Sequence, residues 1–117
     1  MNETDFKNRI KSMIQDCGLG FFKVHGSRMQ TCGWPDVYLF SRIWTGWLEL
    51  KVGKNPADPL QRVQIRNLRM QHVPAFVLRG ITPKLAILED ENGKEIGQII
   101  LSDGPGLLEQ LKRLGTL

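Results

Sequence analysis

The stretch Trp47-Leu48-Glu49-Leu50-Lys51-Val52 alternates two kinds of side chain, and this alternation restricts what the chain can build. Residues i and i+2 of a strand point the same way, so Leu48, Leu50 and Val52 share one face while Trp47, Glu49 and Lys51 share the other. The first face calls for a hydrophobic core. The second places a charged pair on one side of an otherwise apolar strand.

The surrounding sequence supplies the elements that could cover it. In residues 4 to 16, Phe6, Ile10, Met13 and Ile14 recur at i, i+4, i+7 and i+8, which predicts an amphipathic helix, with Lys7, Arg9, Lys11 and Asp16 on its other face and an end at Gly18 and Gly20. Strands are predicted over Phe21 to Val24, Asp36 to Phe40 and Trp47 to Val52, the last two joined as a hairpin through Ser41 to Gly46. Residues 25 to 33 read as a loop or an irregular strand end facing the substrate. Asp58-Pro59-Leu60-Gln61 predicts a helix start, with Asp58 as N-cap, Pro59 at the first helical position and Gln61 completing a capping box. Leu60, Val63, Ile65, Leu68 and His72 form its expected buried stripe, Arg62, Arg66 and Arg69 its outer surface, and Pro74 its end. Ala75 to Leu78 reads as a buried strand, Leu85 to Leu88 and Ile96 to Leu101 as a hairpin, and Asp103 as the cap of a last helix through Leu107, Leu108 and Leu111. The order is α, β, β, β, α, β, then a β-hairpin and a helix.

At 117 residues, 41% apolar and 24% charged, the chain is sized for one globular domain. No run of about 18 apolar residues exists to span a bilayer, which points to a soluble, intracellular protein. Cys17 and Cys32 read as free thiols rather than a disulfide framework. The net charge of +4 leans toward a polyanionic partner, and it is unevenly spread: residues 1 to 88 hold 13 basic and 6 acidic side chains, residues 89 to 117 hold 3 and 6.

Pairing Phe40 with Thr45 and continuing the antiparallel register sets Asp36 opposite Glu49, with Cβ atoms about 5 Å apart. Two carboxylates that close repel unless a cation or a proton lies between them. Hard oxygen ligands at this separation, joined by the Leu50 carbonyl and water, describe a Mg²⁺ or Mn²⁺ site. Lys51 would then be a fixed positive charge beside it. Read singly, Glu49 and Lys51 are a solvated strand face and Asp36 a turn former. Pro-Asp followed at this distance by Glu-x-Lys arises by chance in only about 2 to 3% of chains this long.

With Pro35-Asp36 and Glu49-Leu50-Lys51, the sequence resembles the PD-(D/E)xK nuclease superfamily, and more closely its VRR-NUC branch, small stand-alone members of which occur in phages. Glu3, Gly33-Trp34-Pro35-Asp36, Glu49-Leu50-Lys51 and Gln61 fill that branch's places in order, and archaeal Holliday junction resolvases are similar in their order of elements. The resemblance implies an α/β, restriction-endonuclease-like core (αβββαβ, a mixed central sheet flanked by helices) over about residues 3 to 80, with a C-terminal hairpin and helix over 81 to 117 as an addition. It implies a metal-dependent DNA endonuclease selective for flaps or four-way junctions, in a phage or bacterial host. A homodimer follows by the same analogy, because a four-way junction has two symmetric strands to cut. Asp36 and Glu49 would hold the metal, Lys51 would orient or deprotonate the attacking water, and Gln61 would steady the site. Glu3 would reach the metal directly or through water. Asp5 competes with Glu3 for that role, as Gln64 does with Gln61.

Binding would fall to Lys54, Arg62, Arg66, Arg69, Arg28 and Lys23, which flank the proposed site and suit phosphate contacts that carry no sequence information. Trp34, Trp44 and Trp47 read as packing residues with base stacking as the alternative; Trp44, at a hairpin tip, is the one expected to be exposed and available to a dimer contact. His25 and His72 read as structural. Two other functions remain open. A metal-free RNA-splicing endonuclease leaves Asp36 and Glu49 without purpose, and a non-catalytic basic nucleic-acid-binding module leaves Lys51 without purpose as well.

Overall fold

A computed structural model describes residues 2–24 and 33–114. The elements run α1 (Glu3–Asp16), β1 (Gly20–Lys23), β2 (Val37–Phe40), β3 (Thr45–Val52), α2 (Pro59–Met70), β4 (Ala75–Thr82), β5 (Leu85–Glu89), β6 (Glu95–Ile100) and α3 (Gly104–Leu114). The six strands form one sheet in sequence order. Every neighbouring pair is antiparallel except β3 with β4, which are parallel. A parallel pair needs a long crossover, and α2 fills it.

Helix α1 starts where the Asn2 side chain accepts from the Asp5 N–H at 2.8 Å and ends at Gly18, whose φ of 81° a residue with a Cβ adopts only under strain. Its predicted stripe of Phe6, Ile10, Met13 and Ile14 is buried. Together with Leu107 and Leu111 of α3, it packs on Val37, Leu39, Leu48, Leu50, Phe76, Leu78, Ala86 and Leu88. A smaller core lies on the opposite face, where Ile65 and Leu68 of α2 meet Ala57, Ala75, Val77 and Trp47. Two layers of helix therefore sandwich β3 and β4, and the strand that carries Glu49 is covered on both sides.

Several expectations need correction. The stripe of α2 is narrower than its apolar pattern suggests: Leu60 and Val63 are 53% and 51% exposed, and His72 lies in an exposed turn at φ 62°. Among the described residues the apolar partners of the helix are Ala57, Ala75, Val77 and Trp47, which Ile65 and Leu68 are enough to meet. It ends at Met70, before Pro74. Trp44 is half-buried against the main core, and the residue left in water at that hairpin is Ile43, 82% exposed. The glycine at position 46 explains the difference, because a Cβ there would meet the Trp44 ring. Strand β4 runs on to Thr82, and β5 and β6 continue the same sheet. Cys17 is a half-buried free thiol. His25, Arg28 and Cys32 lie outside the described residues.

Candidate active site

The register of β2 and β3 pairs Phe40 with Thr45, Tyr38 with Trp47 and Val37 with Leu48. One step further, side chains take over from the backbone ladder. The Leu50 N–H donates to Asp36 Oδ2 at 3.1 Å, and the Asp36 N–H donates to Glu49 Oε1 at 3.1 Å. The Asp36 carbonyl accepts from the Val24 N–H at 2.7 Å, so both backbone polar groups and the carboxylate of Asp36 are fixed. This reciprocal clasp holds the two carboxyl groups together at the junction of three strands.

Glu49 is 1% exposed. Burial in this low-dielectric layer, the neighbouring charge of Asp36 and a hydrogen bond between the two side chains push its carboxyl up to about 8, against the opposing pull of Lys51. At neutral pH the Glu49 carboxyl therefore favours its protonated form, and a divalent cation could take the proton's place. Lys51 Nζ lies 3.6 Å from Glu49 Oε2 and is itself largely buried. The donors that could hold such a cation are the two carboxylates and the carbonyl of Leu50, a residue that lines the same cavity as Asp36. All are hard oxygens of the kind that Mg²⁺ or Mn²⁺ takes, with water completing the shell. Among the described residues, no three His, Cys, Asp or Glu side chains converge on one point.

Helix α1 reaches the site through a residue that its sequence pattern placed in solvent. Lys7 Nζ lies 3.9 Å from Asp36 Oδ2 and 3.5 Å from Glu3 Oε1. Glu3 is thus connected to Asp36 through Lys7 and remains exposed. The signal was present: a helix that brings Glu3 toward the site brings residue i+4 with it.

Gln61 completes the capping box, its Oε1 accepting from the Asp58 N–H at 2.9 Å. Its amide oxygen is therefore engaged in starting α2. The structure nonetheless ties this helix end to the Pro-Asp segment. Gly33 has φ 87°, and a Cβ on it would stand 2.6 Å from the Leu60 carbonyl oxygen. The first turn of α2 and the approach to Asp36 are in close backbone contact, which only glycine permits. Gly33→Ala should cost about 2 kcal/mol in urea denaturation, from the disfavoured φ and the forced separation together.

The basic residues divide into two groups. Lys54, Arg66 and Lys23 are exposed and Arg62 half-exposed. Arg69 is committed internally, 3.2 Å from Glu91 and over the Phe76 ring at 5.0 Å, which corrects its expected place on the outer surface of α2. The tryptophans pack on aromatic neighbours: Trp34 on Trp47 at 5.1 Å, and Trp47 on Tyr38 at 4.9 Å. Sequence reasoning missed Arg79, the register partner of Lys51 on the parallel neighbour β4. It pairs with Glu89 at 3.0 Å and donates to the carbonyls of Gly53 (2.8 Å) and Asn55 (2.6 Å), pinning the loop that carries Lys54. A lone arginine inside the apolar run of β4 was the available signal.

Compared by sequence, the chain matches no family model and no curated protein. Compared by structure, it is similar to Hjc, a Holliday junction resolvase from the archaeal hyperthermophile Archaeoglobus fulgidus. The TM-score is 0.63 at 15% identity, over 92% of this chain and 98% of that one. The mixed six-stranded sheet flanked by helices is the restriction-endonuclease-like fold of that resolvase. Coverage of this extent takes in much of residues 81–117, so the C-terminal hairpin and helix belong to the shared architecture.

Proposed function

We propose that the chain is a Mg²⁺- or Mn²⁺-dependent endonuclease that hydrolyses phosphodiester bonds in branched DNA. The observation that carries this reading is the clasp of Asp36 and Glu49, buried, oxygen-only and set beside Lys51. The similar fold belongs to a protein described as a Holliday junction resolvase, which favours junction DNA as substrate. The Gly33-Trp34-Pro35-Asp36 segment and Gln61 favour the VRR-NUC branch within that fold.

Asp36, Glu49 and the Leu50 carbonyl would hold the cation, with Glu3 or Asp5 contributing at most through water. The cation would offset charge on the phosphate and leaving oxygen and lower the pKa of water. Lys51 places a further positive charge where negative charge develops, inside a layer that excludes water and so strengthens it. It also stands where it can orient the water or take its proton. Lys54, Arg62, Arg66 and Lys23 would contact phosphates, fixing position without reading bases. A second copy of the chain would present a second such site to the opposite strand of a four-way junction. No helix of the described residues is long and apolar enough to cross a membrane, and a soluble, intracellular enzyme suits a DNA substrate.

The test is cleavage of labelled duplex, flap and four-way-junction DNA. We expect cutting with Mg²⁺ or Mn²⁺, none with EDTA, a preference for branched substrates, and loss of cutting in Asp36→Ala and Lys51→Ala. Binding by the wild type without cleavage in either metal overturns the enzyme and leaves a nucleic-acid-binding module. Equal cutting of all three DNAs removes the selectivity for branches.

A further inference from the structure

Each carboxylate of the clasp has its own lysine. Glu49 faces Lys51 from the same strand, whereas Asp36 faces Lys7 from helix α1, with Nζ 3.9 Å from Oδ2. That distance is longer than a hydrogen bond, so the contact is one of charge alone and is readily given up. The same oxygen already accepts from the Leu50 N–H at 3.1 Å. Lys7 has a second acid within reach. Glu3 Oε1 lies 3.5 Å from it, one helical turn earlier, and an acid on the N-terminal side of a lysine is the favourable order on a helix. Phe6 and Ile10 are both buried in the core, so the backbone that carries Lys7 is fixed and only its side chain can pass between the two acids. Space for that movement exists, because Lys7, Asp36 and Leu50 line one cavity of about 340 Å³.

We propose that Lys7 is the counter-ion of Asp36 in the metal-free chain, that a divalent cation displaces it, and that Glu3 tunes the site by drawing Lys7 away rather than by touching the metal. This rests on the nuclease reading and deepens it, because it makes Lys7 and Glu3 positioning residues of the same centre. A carboxylate beside a lysine is a poorer ligand for a dication, since the two cations repel across a few ångströms. The Asp36 side chain is 27% exposed, a depth at which water damps that repulsion without removing it. Displacement also has a use. Without metal, the charges of Lys7 and Lys51 roughly cancel those of the acids around them. Once a dication joins Lys7 and Lys51 against Asp36, Glu49 and Glu3, positive charge is left over for a phosphate, and Lys7 stays tethered beside it.

The test is calorimetric titration of Mn²⁺, without DNA, into the wild-type chain, Lys7→Gln, Lys7→Arg, Glu3→Gln and the Glu3→Gln, Lys7→Gln double variant. We expect Lys7→Gln to bind Mn²⁺ about tenfold tighter, the scale of removing one damped unit charge from beside the ion. Lys7→Arg keeps the charge and should bind as the wild type does. Glu3→Gln should bind about threefold weaker, because Lys7 is then left to Asp36 alone, and this loss should vanish in the double variant. A merely structural role for Lys7 would not tighten metal binding. Cleavage should follow the same pattern: Lys7→Gln reaches half-maximal cutting at less metal, with a lower maximal rate. If Lys7→Gln binds Mn²⁺ no tighter than the wild type, the counter-ion role falls, and a wild type that still cuts in Mg²⁺ leaves the nuclease reading standing. If Glu3→Gln weakens binding equally with and without Lys7, Glu3 acts on the metal itself and its role through Lys7 is overturned. If Lys7→Gln binds tighter while the wild type cuts nothing, the counter-ion role is supported and the nuclease reading falls.

Discussion

Replacing Glu49 by Gln should abolish cleavage and, in the same protein, raise the stability of the metal-free chain at alkaline pH. The two effects have one cause. Glu49 is buried against Asp36, and its carboxyl is pushed up from 4.5 to about 8. The folded chain therefore holds a proton that the unfolded chain releases across that interval. A group that binds more protons when folded loses its stabilisation as pH rises, so the contribution is full below about 4.5 and declines up to about 8. The decline should amount to a few kcal/mol, because each tenfold difference in proton affinity between folded and unfolded chain is worth about 1.4 kcal/mol. Glutamine keeps the neutral shape at every pH and escapes it. Urea denaturation of both proteins in EDTA at pH 5 and pH 9 should show similar stabilities at pH 5 and a more stable variant at pH 9. Mg²⁺ or Mn²⁺ at pH 8 should raise the melting temperature of the wild type and leave Glu49→Gln unmoved, since the amide cannot replace the anionic oxygen. Cleavage should fall by about 10³-fold or more, the scale of losing several kcal/mol of charge stabilisation at the reacting centre. Parallel pH profiles for the two proteins would sink the assignment of Glu49 as the buried, proton-holding member of the pair.

That prediction was partly legible in the sequence. Strand periodicity alone set Glu49 and Lys51 on one face, and a four-residue hairpin loop set the register that brings Asp36 beside Glu49. Both are local rules, and the pairing of Phe40 with Thr45 obeys them. What could not be read was depth. Periodicity tells which residues share a face but not how much a neighbouring element covers it, so the α2 stripe looked broader than the buried Ile65 and half-buried Leu68 that form it. The same gap hid Lys7, which lies on the polar side of α1 yet reaches Asp36 because the helix packs against β1 and β3. Arg69 looked like a phosphate ligand by helical spacing alone. Only the turn between β5 and β6, distant in sequence, shows that Glu91 claims it. Long-range ion pairs of this kind have no periodic signature.

Arg79→Ala should be the most destabilising single charge removal in the chain, at about 3 to 5 kcal/mol. The guanidinium and the Glu89 carboxylate belong to residues that are each 9% exposed, so the alanine variant strands a buried anion and also leaves the Gly53 and Asn55 carbonyls without a donor. Removing both charges is a different experiment. An Arg79→Met, Glu89→Met double variant exchanges a desolvated pair for apolar contacts, and its urea midpoint should return most of the way to wild type. Activity should not return with it. Methionine cannot hold the two carbonyls, and the turn they fix begins two residues after Lys51 and carries Lys54. Stability restored without cleavage would identify Arg79 as a positioning residue for the end of β3. Cleavage recovering in step with stability would reduce it to a packing role. Its effect on DNA affinity separates the two further: loss of the turn's anchor should weaken DNA binding through Lys54, whereas a change in packing alone should leave the salt dependence of binding as it was.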